Sequence, residues 1–236
     1  MDRRSLVTLL LVFLAWRFLS DTPSTEALGP ALISFVLRIA VFLVAITLHE
    51  FGHAAVATWL GDPTPKAFGR LSLNPVRHLD PLGTLLILAV QFGFAKPVPV
   101  NPKYFKRPER DQVLVALAGP AINFALCLLS IAVFRLFVPA SLFELQRGLP
   151  MWQQIALEGL LLSAILNAML AVFNLFPVPP LDGSYLLERV LPPYQRWWYR
   201  QNQTMLATVS LLLLMMHAFD PVFSAVARLV QHAALG

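Results

Sequence analysis

Residues 30–60 read PALISFVLRIAVFLVAITLHEFGHAAVATWL, an apolar run in which a lone arginine, Arg38, precedes the cluster His49-Glu50-Phe51-Gly52-His53. Helical throughout, it would be about 46 Å long, more than the ~30 Å hydrocarbon core of a bilayer, so it must tilt or protrude. The rest of the chain has the same character. Of its 236 residues, 57% are apolar and 13% charged, against about 25% charged in an ordinary soluble domain. The mean hydropathy is +0.66, and the apolar residues come in long runs rather than at amphipathic spacing. Disorder, a coiled coil and a disulfide-stapled secreted scaffold are all excluded. The one cysteine, Cys127, lies inside an apolar run and is expected to be a small packing residue. An integral membrane protein is predicted, all-α and polytopic. It forms a single domain over 1–236, with a core at 30–190 and C-terminal helices at 204–236.

Residues 5–16 follow Arg3 and Arg4 and read as an uncleaved first span, because Arg17 ends the run and no small-x-small cleavage site follows. A short acidic loop at 20–28 carries Asp21 and Glu26. Beyond the long second segment, residues 62–81 are polar and basic and include a strand-like stretch at 67–73. Residues 82–95 are apolar but short for a helix that spans. Further apolar runs lie at 113–138, 155–176, 204–219 and 222–235. The expected architecture has about five to six transmembrane helices. Residues 82–95 form a short re-entrant segment, the alternative being a short true span that leaves one strongly basic loop outside, and a small β-strand or edge element follows the HExxH helix. The basic loops at 62–81, 96–111 and 184–203 face the cytosol by the positive-inside rule, which puts both flanks of 82–95 on one side. The net charge of +5 sits in these loops and not on an amphipathic face, so no nucleic-acid partner is expected.

The chemistry is concentrated in HExxH. On a helix, His49 and His53 lie one turn apart on the same face, so both imidazoles can point at one ion about 2.0–2.1 Å away. Glu50 stands beside the open position, where it can take a proton from an ion-activated water and pass it to the leaving group. A carboxylate and two imidazoles at membrane depth are costly unless they bind something or line wet space.

A catalytic zinc needs a third protein ligand. His78 lies in a basic loop, His217 near the end of a late apolar run and His232 in the C-terminal tail. Glu144, Glu158, Glu188 and Asp220 lie at loop or span edges, where solvated roles suffice. Asp182 differs. It follows Asn174-Leu175-Phe176-Pro177-Val178-Pro179-Pro180-Leu181, whose prolines end any helix. Broken backbone at membrane depth is tolerated where it is buried in protein or lines a cavity, and Gly183 lets the chain turn back. Depth agrees. With Arg38 at the outer interface, His53 lies seven residues below Leu60, about 10 Å from the cytosolic surface. Asn123 and Asp182 approach the same level from that side.

The HEFGH block, the block Gly119-Pro120-Ala121-Ile122-Asn123, and Asn174…Pro177…Pro179…Leu181-Asp182-Gly183 resemble the site-2 protease family of intramembrane zinc metalloproteases. The similarity covers about residues 30–190. It implies one Zn2+ held by His49, His53 and Asp182, with Glu50 as general base. It also implies roles for Asn123 and Asn174 near the substrate or transition-state oxygen. Phe68-Gly69-Arg70-Leu71 resembles the family's edge strand, which holds substrate in extended form. The implied activity is regulated intramembrane proteolysis of transmembrane or membrane-anchored peptides by a minimal core without a PDZ or CBS module. Its surroundings are membrane lipid, its expected location a bacterial plasma membrane, and its active site faces the cytosolic side.

Two other functions fit a polar cluster inside spans. A metal transporter would not need a glutamate between the histidines and usually shows repeated halves; neither expectation is met. A non-catalytic scaffold would not need the full set of catalytic groups.

Overall fold

The computed structural model describes residues 28–80, 96–137 and 149–236. The expected first span at 5–16, most of the acidic loop and the re-entrant segment at 82–95 lie outside the described residues. Within them the regular elements are helical: α1 (Leu28–Trp59), α2 (Thr64–Ala67), α3 (Pro108–Phe137), α4 (Met151–Asn174), α5 (Gly183–Val190), α6 (Pro193–Gln201), α7 (Gln203–Met215) and α8 (Asp220–Leu235). Three of them, α1, α3 and α4, are long and apolar enough to cross a membrane.

The late runs divide differently from expectation. The apolar stretch at 204–219 yields only the 13-residue α7, about 20 Å long and short of a bilayer core. His217 then takes a left-handed φ of 58°, and Pro221 starts α8 at its first turn.

α3 lies between α1 and α4, and α8 packs on both α3 and α4. Many of the buried residues on these helices are small: Ala45, Ala54 and Ala57 on α1, Ala116 and Gly119 on α3, and Ala164, Ala168 and Ala171 on α4. Lipid tails are as apolar as leucine, so helices associate in a bilayer through close backbone approach, which small side chains allow. A cluster of Cys127, Ala164, Ala168 and Val230 joins α3, α4 and α8. Cys127 is thus the buried packing residue expected. The outer faces of α1 and α3 carry Leu32, Val36, Val44, Phe124, Leu129 and Leu136, each more than half exposed, as suits a lipid-facing surface.

The strand-like stretch at 67–73 is not a strand. Pro63 and Pro65 pre-set a helical turn, and Gly69 reverses the chain at a φ of +68°. The backbone bonds that follow are local, from Arg70 N to Pro65 O and from Ser72 N to Arg70 O. Side chains hold the corner instead. Buried Asp62 accepts from Thr64 N at 2.9 Å and from Asn101 N at 2.7 Å. The Arg70 guanidinium donates to Arg77 O at 2.5 Å and to Pro97 O at 3.2 Å, and His78 Nε2 donates to Ser72 O at 2.6 Å. This polar corner fastens the loop to the end of α1.

Candidate metal centre

The helical spacing of α1 places His49 and His53 on its α3-facing side, both buried, with Glu50 buried next to them. Their rings stand edge-on, 85° apart, with Nε2 atoms 3.0 Å from each other. The partners of the other ring nitrogens fix the tautomers. His53 Nδ1 donates to the carbonyl of Val115 at 2.7 Å. His49 Nδ1 donates to Asn123 Oδ1 at 2.6 Å, and the Asn123 amide is oriented by its own donations to Asn167 Oδ1 at 2.8 Å and Ala45 O at 3.4 Å. With protons on both Nδ1 atoms, both Nε2 atoms present lone pairs to one point.

Gly119 forms the wall behind them. A Cβ there would meet Nε2 of His53 and lie 2.7 Å from Nε2 of His49, so only bare backbone fits.

Asp182 arrives from α4. That helix ends at Asn174, and the backbone then runs through tight turns: Phe176 N donates to Phe173 O, Val178 N to Phe176 O and Leu181 N to Val178 O. The Pro179–Pro180 bond within this stretch is cis. Gly183 lets the chain fold back on itself, since a Cβ there would collide with the carbonyl of Leu175. From α6, the phenol of Tyr199 donates to Pro177 O at 3.1 Å. Burial, assisted by the Glu188 charge, pushes that phenol up to about 12, so it stays a donor at neutral pH.

Asp182 Oδ2 lies 3.2 Å from His49 Nε2 and 3.3 Å from His53 Nε2. This oxygen is buried and receives no hydrogen bond. Two lone-pair nitrogens and a carboxylate oxygen facing one another without a proton between them repel unless a cation sits among them. Ligands about 2.0–2.1 Å from a tetrahedral ion stand about 3.3 Å apart, and the three observed edges are 3.0, 3.2 and 3.3 Å. The donor set fits zinc.

The other candidates go elsewhere. His78 is fully buried in the loop corner, while His217 pairs with Asp220 at the surface and His232 is exposed. Glu188 is bound to Arg200. Asn123 joins the centre through His49, with both ends of its amide engaged. Asn174 donates to Leu170 O at 3.0 Å within its own helix and makes no hydrogen bond to the three converging groups. Asn167, two turns before the end of α4, was not singled out in the sequence. The trace it left there is a polar residue four positions after Ser163, midway along a largely apolar span.

The sequence profile described as "Peptidase family M50" matches residues 37–150 and 140–217. The chain belongs to peptidase family M50. This is the site-2 protease family, as the three motifs imply. Among curated relatives, a Bacillus subtilis protein named "Putative zinc metalloprotease YwhC" is 40% identical over 158 residues, covering 66% of this chain and 69% of the relative. The Mycolicibacterium smegmatis protein "Putative zinc metalloprotease Rip2" is 34% identical over 194 residues, 75% of this chain and 69% of its own. "Zinc metalloprotease MJ0392" of Methanocaldococcus jannaschii is 26% identical over 77% of this chain and 42% of its own. No solved structure matches the chain significantly. This M50 member is a zinc-dependent metallopeptidase and an integral membrane protein.

Proposed function

We propose that this M50 peptidase hydrolyses transmembrane or membrane-anchored peptides within the bilayer. His49, His53 and Asp182 hold the zinc and Glu50 is the general base. What supports this is the meeting of Asp182 with two histidines of a helix that is itself long enough to span, at a level where Val44 and Phe124 point outward. Zinc held by these residues would lower the pKa of a bound water and polarise a carbonyl. Glu50 removes the proton of the attacking water and delivers it to the leaving amide nitrogen. Asn123 serves the site through the ring of His49. Asn174 stands at the end of α4, beside the broken backbone where an unwound substrate would arrive. Unwinding is necessary because every amide of a substrate helix is bonded internally until it opens.

The basic loops support an orientation with the centre toward the cytosol, and the compactness of the chain is the ground for a bacterial plasma membrane. On the same sequence grounds residues 82–95 re-enter, within a total of about five to six spans. The test of function is a labelled transmembrane peptide in proteoliposomes, with and without a zinc chelator. Cleavage that stops with chelation and resumes with added Zn2+ is expected. Chelator-insensitive cleavage, or hydrolysis of soluble peptides alone, would overturn the proposal.

A further inference from the structure

We infer that Asn167 is a positioning residue for the metal centre, acting through Asn123 to hold the tautomer of His49; this rests on the assignment of His49 as a zinc ligand. Four groups form one buried line across three helices. Asn167 Nδ2 donates to Ser163 O at 2.9 Å and to Ser163 Oγ at 3.3 Å. Asn167 Oδ1 accepts from Asn123 Nδ2 at 2.8 Å, and Asn123 Oδ1 accepts from His49 Nδ1 at 2.6 Å. A main-chain carbonyl can only accept, so Ser163 O fixes which end of the Asn167 amide is nitrogen. The order of the whole line follows from that end.

The orientation matters to the metal. Rotating the Asn123 amide by half a turn would aim its NH2 at His49 Nδ1. That nitrogen would have to become the acceptor, and its proton would move to Nε2, covering the lone pair that faces Asp182 and His53. Two groups oppose the rotation. Ala45 O, at 3.4 Å, is a marginal acceptor. Asn167 Oδ1, at 2.8 Å, is a strong one, and after a rotation it would face a second oxygen. Asn167 is therefore the group that decides. Its neighbours on the α3-facing side of α4 are Ala164 and Ala168, packed with Cys127, and Ser163, whose Oγ meets Ser130 Oγ of α3 at 2.9 Å. A buried amide in their midst is costly unless satisfied. Asn167 is only 2% exposed and Asn123 0%, so neither amide is in contact with bulk water.

The test is zinc affinity of the purified full-length chain in detergent, read by competition with a chromophoric chelator, with the visible spectrum of the Co2+ form as a second readout. Asn167→Ala should weaken zinc binding about tenfold to a hundredfold and alter the Co2+ bands. In an Asn123→Ala background the same change should alter affinity by less than about threefold, because the link it acts through is gone. Asn167→Asp, carried as the protonated acid with its O–H to Ser163 O, keeps the acceptor and should stay within about threefold of the parent. Parent-like affinity in Asn167→Ala, or full additivity with Asn123→Ala, would overturn the inference. If Asn167→Ala does not fold, Asn167→Asp is compared with the shorter Asn167→Ser: a gap of about tenfold upholds the relay and equal affinities refute it. His49→Ala separates the two levels. If it retains zinc, the ligand assignment itself fails. If it loses zinc while Asn167→Ala binds like the parent, only the relay fails.

Discussion

Gly119 faces His49 with no side chain between them, and a Cβ at that position would stand 2.6 Å from the ring carbon Cε1. Carbon atoms do not approach so closely, and α3 is held against both α1 and α4, so the imidazole is what must move. Gly119→Ala should leave the protein folded but displace the ring, and placement errors near 1 Å cost about a hundredfold in rate. Zinc content measured by atomic emission should fall with cleavage. Full occupancy in this variant would show that the wall has slack.

Glu50→Gln preserves shape and removes the base. Zinc should remain bound at parent stoichiometry while turnover drops by about 10²–10⁴. Near-normal cleavage by this variant would exclude Glu50 from proton transfer.

Asp182→Ala leaves two protein ligands, too few for a stable catalytic zinc. Metal and activity should disappear together, unlike the pattern at Glu50. Asp182→Glu should keep part of the metal but turn over poorly. A folded Asp182→Ala protein with full zinc would transfer attention to His78, whose Nδ1 is buried without a partner.

Asp62 closes the corner after α1 with two backbone amides bonded to one fully buried carboxylate. Hydrogen bonds to a charged group are worth about 1.5–3 kcal/mol each, so Asp62→Ala should cost about 2–4 kcal/mol after relaxation. Thermal unfolding in micelles, followed by tryptophan fluorescence, would report it as a lowered Tm. An unchanged Tm would mean the corner carries no stability.

Single cysteines at Ser72 and Lys103, in a Cys127→Ala background, should both react with a membrane-impermeant reagent from the cytosolic side only. Labelling of one from each face would show that residues 82–95 cross.

How far each feature could be read from sequence follows the range of the interaction behind it. The pairing of His49 with His53 is a matter of helical period, visible in five consecutive residues. Asp182 was legible because prolines break a span in an unmistakable way and Gly183 permits the return. The stretch at 67–73 misled: its apolar residues alternate like a strand, yet Pro63, Pro65 and Gly69 impose turns. The run at 204–219 looked long enough to span until the reversal at His217 shortened it. Asn167 and the bare face of Gly119 acquire meaning only when α3 lies between α1 and α4. No local pattern encodes that contact.

The position of Asp182 also has a meaning in time. It is made 129 positions after His53, which at about 5–20 residues per second is a delay of roughly 6–26 s on the ribosome. Through that interval the emerging chain carries its two histidines and its glutamate in the bilayer with no carboxylate to complete the centre. A half-made copy thus lacks one of the three clustered donors, and the cluster waits for α4 to be made and its broken end to fold back. The order of the three donor residues along the gene sets the order in which the cluster is built.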